Sequence, residues 1–571
     1  MCGLAGIFHQ SFSPERADVE HMLNIIQHRG PDGRDLYINA DICLGIVRLA
    51  MLDSENDTSI LSNETNTIYL AYNGEIYNHQ ILRNILKAKG HEFKTKNDGE
   101  VIIHLYEEKS FNFVKEMDGM FAFALWDSDK KILCLGRDAL GIKPLYFKRK
   151  DNKIFFASEL KAIVTLEKQF PEINPIGLSS YFNYRFIVAP YTIFKNMAKL
   201  EPGTLLIAKE GEIEIKKYWE PTFNIKNKKA DFFPMLLHST IQSTAAADFP
   251  LGVFLSGGLD SSTILASLSD KLPLLSFTVG YDFSTYMDER QEASIIASHL
   301  QSKHYHTCVN SNDISRILNK VIWHLDEPIY STVSLSTYAL AELAAQHVKG
   351  VLTGDGSDEL FMSYHYLQKP FEAIKNKMDW KLAYQEQIGW LPMDWKKILL
   401  VDPFQVNQFN FIQDKDTVEV NALRYFELRY RLPEYHLARV DRLCMAHGLE
   451  ARVPFLRRKI VKYILGEEIK NYQKIDNRKY LLRNIITNYL PNKFIQLNKK
   501  PFTAPFEEWL KVSLKEEIYE IILGTNYHLT LGLNITGLMK LIKKCYAGEN
   551  HLFPILWGIF NLYKWYFLYF E

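Results

Sequence analysis

FPLGVFLSGGLDSS (249–262) is an apolar run that meets two adjacent glycines and then a helix-forming stretch, STILASLSDK (262–271). A short apolar run bounded by glycine reads as a buried strand. The paired glycines expose successive backbone N–H groups, and the N-terminus of the helix adds positive potential, so the turn is built to cradle phosphate. It is not a GxxxxGK[ST] loop. The same strand-to-helix step recurs downstream. PLLSFTVGY (273–281) precedes ERQEASIIASHL (289–300), and KGVLTG (349–354) closes another step before the acidic loop TGDGSDELF (353–361). Such alternation predicts a parallel sheet with ligands at the strand C-termini. Beyond residue 370 the pattern is almost wholly helical.

The chain upstream reads differently. Its first ~210 residues are short strands broken by turn signals, among them NTIYLAYNGEIYN (66–78), GMFAFALWD (119–127), KKILCLGRD (130–138) and KIFFASE (153–159). Helical stretches are expected around 17–28 and 79–89. This implies an α+β domain. EGEIEIKKYWEP (210–221) is its expected closing strand and NIKNKKAD (224–231) the linker. Two domains follow, 2–215 and 230–571, in keeping with 571 residues.

Composition narrows the function. Lys plus Arg and Asp plus Glu both total 67, so there is no basic excess of the kind a nucleic-acid binder carries. Six scattered cysteines without a CxxC pair give neither a disulfide scaffold nor a zinc signal, and fit a reducing cytoplasm. MCGLAGIF (1–8) lacks the basic and long apolar regions of a signal peptide. The aromatic tail FPILWGIFNLYKWYFLYF (553–570) contains Asn561 and Lys564 and is expected to be a buried helix rather than a membrane span.

Cys2 carries chemistry through its position. Removal of Met1 would make it the N-terminal residue, with an α-amino group of pKa roughly 8 able to take the thiol proton. A second-position cysteine is more often a packing thiol, so its neighbours decide. RGPDG (29–33), NGEIYN (73–78), NDGE (97–100), GMFAFALWD and GRDALGIKPLYF (136–147) occur in order. Together with MCGLAGIF they resemble the glutaminase domain of class II amidotransferases, and specifically the asparagine synthetase family. SGGLDSS, SFTVGY (276–281), LDEP (325–328), RVDRLCMAHGLEARVPF (439–455) and RKYLLR (478–483) extend the resemblance over essentially the whole chain.

The resemblance implies an N-terminal-nucleophile (Ntn) hydrolase sandwich followed by an α/β ATP-pyrophosphatase domain with a helical C-terminal part. Cys2 would attack glutamine, with Asn73 and the N–H of Gly74 stabilising the oxyanion. Arg48 would grip the glutamine carboxylate, and Asp98 with Glu75 its ammonium. Leu255, Ser256, Gly257, Gly258, Ser261, Ser262, Thr353 and Gly354 would line the ATP and pyrophosphate site, with Val279 near adenine. Asp260 and Asp358 would hold Mg²⁺. Lys479 would meet charge at the α-phosphate, with Asp355 at the acceptor step. Glu450 and Arg452 are pocket candidates or a structural ion pair. The implied activity is glutamine-dependent, AMP-forming amide synthesis. Its partners are small molecules, with neither nucleic acid nor membrane, and a homodimer is compatible with the family.

Several positions depart from the family's usual pattern. Ile46 and Val47 stand where a histidine usually precedes Arg48, and Gly99 where threonine is usual. Asp355 replaces a glutamate, Met362 and Ser363 replace two glycines, and Arg457 replaces an aspartate. The last four positions fall in regions expected to form or support the acceptor pocket. Aspartate is the default acceptor; a sugar acid, peptide or natural-product intermediate is the alternative. Intact Cys2, Asn73 and Gly74 argue against the ring-closing β-lactam synthetase branch. Intact SGGLDSS with both aspartates argues against a glutaminase-only or non-catalytic relative.

Overall fold

The computed structural model describes residues 2–9, 14–50, 60–223, 232–270, 274–283, 285–400, 419–466, 479–491 and 504–571. The proposed linker 224–231 lies outside them.

The first domain is two antiparallel sheets packed face to face. The strands are β1 (Cys2–His9), β2 (Gly33–Ile38), β3 (Ile42–Arg48), β4 (Leu61–Ser62), β5 (Ile68–Ile76), β6 (Gly119–Asp127), β7 (Ile132–Arg137), β8 (Tyr146–Lys150), β9 (Lys153–Ala157), β10 (Ala198–Lys199), β11 (Thr204–Lys209) and β12 (Glu212–Lys217). One sheet runs β10-β8-β9-β1-β3-β2, the other β12-β11-β7-β6-β5-β4. Period-two alternation explains the layering. Leu4 and Phe8 of β1 face Trp126, Ala124 and Leu135 of the other sheet, while Ala5 and Ile7 turn outward. On that outer face lies α1 (Arg16–Ile25), burying Val19, Met22 and Leu23. α2 (His79–Ala88) and α3 (Glu100–Lys109) cover the second sheet with Leu82, Leu86, Val101 and Leu105. The helices expected at 17–28 and 79–89 are α1 and α2; α3 and Pro175–Tyr184 were not foreseen. β12 is the expected closing strand, at the sheet edge.

The second domain holds a parallel sheet, β15-β14-β13-β16-β17, from β13 (Leu251–Phe254), β14 (Leu275–Tyr281), β15 (Lys303–Val309), β16 (Gly350–Leu352) and β17 (Glu450–Arg452). Among the described residues beyond 370 the chain is helical, as expected, except for β17. Three residues of LEARVPF pair with β16, a strand too short to interrupt a helical pattern. The aromatic tail forms the helix Phe553–Phe570, buried along most of its length, with Lys564 paired to Glu517. Among the described residues no helix is long and apolar enough to cross a membrane.

Buried charge joins the domains. Asp441 receives Arg29 at 2.8 Å and Lys143 at 3.0 Å; Glu434 receives Arg137 and Lys199, each at 3.1 Å; Asp326 receives Lys161 at 2.7 Å. Burial raises the cost of each charge, so each carboxylate is met by a cation from the first domain. Glu434 shows the balance: burial pushes its carboxyl up, yet Lys199 and Arg137 hold it below the ordinary value.

Candidate active sites

Cys2 opens β1, opposite Arg48 at the end of β3. Its backbone nitrogen lies 3.1 Å from Asn73 Oδ1, and its carbonyl accepts from Arg29 Nε at 3.4 Å. Asn73 is fully buried, and its Nδ2 has no hydrogen-bond partner among the described residues. A buried amide donor left unpaired is costly unless something else uses it. Gly74 follows on β5, where a Cβ would come within 2.2 Å of the Met120 carbonyl oxygen, so strand β6 can approach only a glycine.

Of the candidate ammonium ligands, Glu75 lies on β5 and Asp98 in the turn before α3. Asp98 Oδ2 accepts from Tyr72 Oη at 2.7 Å and from the Ile76 N–H at 2.6 Å. Burial raises the Asp98 carboxyl above its ordinary value, against both hydrogen bonds. Glu75 Oε2 accepts from Arg452 Nη2 at 3.1 Å, across the domain junction. Two of the departures have a packing reason. A side chain at Gly99 would meet the Tyr72 ring at 2.4 Å, the ring whose hydroxyl holds Asp98. Ile46 faces the inter-sheet core and Val47 packs with α1.

In the second domain Gly257 takes φ +76°, a left-handed turn, and the hydroxyl of Ser256 accepts from the Gly258 N–H at 3.2 Å. Leu255 is held by Phe277 O at 2.9 Å. Ser261 Oγ accepts from the Ser256 N–H at 3.2 Å, whereas Ser262 Oγ is buried without a partner. The helix Leu259–Ala266 starts beside this loop. Gly354 backs onto Asp260, where a Cβ would lie 3.0 Å from the Asp260 Cβ. Val279 lies buried on β14. Thr353 donates its N–H to Arg452 O at 2.9 Å.

Lys479 Nζ stands 2.6 Å from Asp260 Oδ2 and 2.7 Å from Asp358 Oδ1. Burial lowers the lysine, but the two carboxylates overcome it and keep its pKa raised. Ser357 Oγ donates to Asp260 at 2.8 Å, and Ser363 to Asp358. Two carboxylates converging on one cation are a donor set that suits Mg²⁺. Asp355 lies 3.6 Å from Arg439, and burial raises its carboxyl. Met362 takes φ +51° where a glycine is usual.

Other sequence candidates fall elsewhere. Arg457, in a region expected to form or support the acceptor pocket, grips Asp118 of the first domain at 2.6 Å and lies over the Tyr77 ring at 4.0 Å. Its guanidinium answers a carboxylate 339 residues away in the chain. Glu450 and Arg452 form the ion pair rather than a pocket edge, and in LDEP Glu327 pairs with Lys199 at 3.0 Å. Arg29, Lys143 and Asp441 were quoted within motifs but given no role. Their pairings span up to 412 residues of sequence, and only the fold brings them together.

An Ntn-type sandwich with Cys2 beside an unpaired buried amide, joined to a parallel sheet with a phosphate-cradling turn, defines a glutamine amidotransferase coupled to an ATP-using synthetase. Residues 1–219 match the glutamine amidotransferase domain and residues 234–566 match asparagine synthase. Asparagine synthetase [glutamine-hydrolyzing] 1 of Bacillus subtilis is 29% identical, over 91% of this chain and 90% of that protein. Asparagine synthetase [glutamine-hydrolyzing] 3 of the same organism is 27% identical over 92% of each. Asparagine synthetase [glutamine-hydrolyzing] 2 of Arabidopsis thaliana is 28% identical, over 88% of this chain and 78% of that protein. The chain belongs to the asparagine synthase family, and is a glutamine-hydrolysing amidotransferase ligase.

Proposed function

We propose that the chain makes L-asparagine from L-aspartate, glutamine and ATP. Cys2 Sγ attacks the glutamine amide carbon, and its proton passes to the α-amine exposed when Met1 is removed. The oxyanion accepts from Asn73 Nδ2 and the Gly74 N–H, and ammonia leaves with a proton returned from that amine. Water then releases glutamate from the thioester. Arg48 pairs with the glutamine carboxylate, and Asp98 and Glu75 with its ammonium. The observation that carries this half is the buried Asn73 amide, its oxygen on the Cys2 nitrogen and its Nδ2 free.

In the second site the acceptor carboxylate attacks the α-phosphorus of ATP and pyrophosphate leaves. Ammonia then attacks the acyl carbon and AMP departs with the carboxylate oxygen. Leu255 to Ser262, with Thr353 and Gly354, bind the phosphates, and Val279 lies against adenine. Asp260 and Asp358 would hold Mg²⁺, which neutralises triphosphate charge when bound. Lys479 holds positive charge between those aspartates and answers the α-phosphate. The six cysteines are all free, which supports a reducing cytoplasm as the setting.

Aspartate rests on the names of the relatives. A second reading, amidation of another carboxylic acid, is favoured by Asp355, one methylene shorter than the usual glutamate and drawn toward Arg439. Cys2→Ala tests the two-site scheme: glutamine use should vanish while ammonia still drives ATP-dependent synthesis. Failure of ammonia to rescue the variant with any acceptor refutes it. Pyrophosphate release across aspartate, sugar acids and peptide carboxylates decides the acceptor. A signal with another acid and none with aspartate would replace the first reading with the second.

A further inference from the structure

We infer that Glu64, His91, His104 and Glu107 form a binding site for one divalent transition-metal ion of the zinc class. The four side chains come from three segments on the outer face of the first domain: the turn between β4 and β5, the loop after α2, and α3. One ligand atom from each lies within 4.8 Å of all the others. His104 Nδ1 is 2.9 Å from Glu107 Oε2 and 3.8 Å from Glu64 Oε1; His91 Nδ1 is 3.4 and 3.9 Å from the same two oxygens. A tetrahedral zinc ion with bonds near 2.0–2.1 Å separates its ligands by about 3.4 Å. These four separations bracket that edge length, and the remaining two lie within 4.8 Å.

The outer contacts fit the same reading. A metal-bound imidazole commonly donates its other nitrogen to a carboxylate, which fixes the tautomer. His91 Nε2 lies 3.2 Å from Glu108 Oε1, and His104 Nε2 faces Glu100 Oε1 at 3.9 Å. Both rings therefore turn Nδ1 toward the cluster. Asn63 Nδ2 holds the far oxygen of Glu107 at 2.9 Å, and the Glu92 N–H holds Glu64 at 2.8 Å. Two imidazoles with two carboxylates suit zinc or its neighbours, whereas Mg²⁺ and Ca²⁺ prefer all-oxygen shells.

Burial works against charge on His104, but Glu100, Glu107 and Glu64 overcome it and raise its pKa to about 9. The site would clamp α3 to the β4–β5 turn. Glu100, the first residue of α3, also receives the Lys94 N–H at 2.6 Å and the Thr95 N–H at 2.9 Å, two residues ahead of the NDGE loop. The clamp is thus a structural one, beside the candidate glutamine site and outside it.

The test uses full-length Cys2→Ala protein, so that the active-site thiol cannot bind the probe. After chelation and dialysis, Zn²⁺ is titrated against a chromophoric competitor. One tight equivalent is expected, with a rise in thermal midpoint. Adding His91→Ala should weaken that equivalent at least ~100-fold. Glu64→Gln, on an exposed side chain that folding does not need, should weaken it at least ~10-fold. No tight equivalent in the parent, or one that survives both substitutions, overturns the site.

Discussion

Arg452 Nη2 donates to Glu75 Oε2 at 3.1 Å, which joins the strand end carrying Asn73 and Gly74 to the parallel sheet of the other domain. The same guanidinium donates to Glu450 through Nε, and to the carbonyls of Thr244 and Ala246 at 2.8 and 2.6 Å through Nη1. Its backbone oxygen accepts from Thr353, at the start of the acidic loop. One residue thus touches structure belonging to both candidate sites. Arg452→Met leaves Glu75 and Glu450 buried without their cation, which should cost about 3–5 kcal/mol. Unfolding of Arg452→Met, Glu75→Gln and the double variant gives the coupling. A double variant no more stable than the sum of the single losses predicts would show that the pair is not coupled.

Glu75 also makes a pH prediction. Burial, then Asp98 and Glu450, outweigh Arg452 and push its carboxyl up to about 8 from 4.5. Glu450 shares the guanidinium and is held below its ordinary value, so Glu75 is the pair member that keeps its proton. A folded pKa above the unfolded one means the native state binds the proton more tightly. Stability contributed by this proton is complete below about 4.5 and is lost as pH rises through about 8. Ionised Glu75, the form able to receive an ammonium, appears over the upper part of that window. Glutamine binding to Cys2→Ala protein should therefore tighten between pH 6.5 and 8.5. Glu75→Gln should remove most of that tightening, and an unchanged pH profile would exclude Glu75 from the ammonium site.

The division of what could be foreseen follows chain separation. Strand alternation and the SGGLDSS turn are local properties, and both domains were legible from them. Cys2, Asn73 and Gly74 were expected together from their motifs, and β1 and β5 bring Cys2 against Asn73. The pairing of Arg457 with Asp118, 339 residues away on another domain, was not legible. His104 and Glu107, three apart on α3, gave no signal either. Glu64 and His91 join them only through the fold of the β4–β5 turn and the loop after α2. Met362 illustrates a different limit. Its left-handed φ marks a place where glycine is at ease, yet its side chain is fully buried, so packing has overridden a backbone preference worth about 1 kcal/mol.

Asn73 separates two roles in one side chain. Asn73→Ala removes both the Nδ2 donor and the Oδ1 contact to the Cys2 nitrogen. Loss of one oxyanion donor typically lowers kcat by about 10²–10³. Glutamine hydrolysis should fall by that factor while ammonia-dependent synthesis continues at its original rate. Asn73→Asp keeps an oxygen near the Cys2 nitrogen without restoring a donor. If it hydrolyses glutamine as well as the parent, the amide is holding Cys2 in position and is not stabilising charge.

Lys479 lies between Asp260 and Asp358, and its removal pulls two properties in opposite directions. Lys479→Met leaves two carboxylates, each within 2.7 Å of the lost ammonium, with Ser357 donating to Asp260 and Ser363 to Asp358. Like charges at that range favour any cation that can take the vacated position. Divalent-ion affinity, read with Mn²⁺ as a paramagnetic probe, should rise. Pyrophosphate release should nevertheless fall about 10²–10³-fold with glutamine or ammonia, because positive charge at the α-phosphate is gone. Glutamine hydrolysis at Cys2, in the other domain, is the internal control and should continue. A variant that binds Mn²⁺ more tightly and still releases pyrophosphate at the parental rate would leave Lys479 as a structural counter-ion for the aspartates.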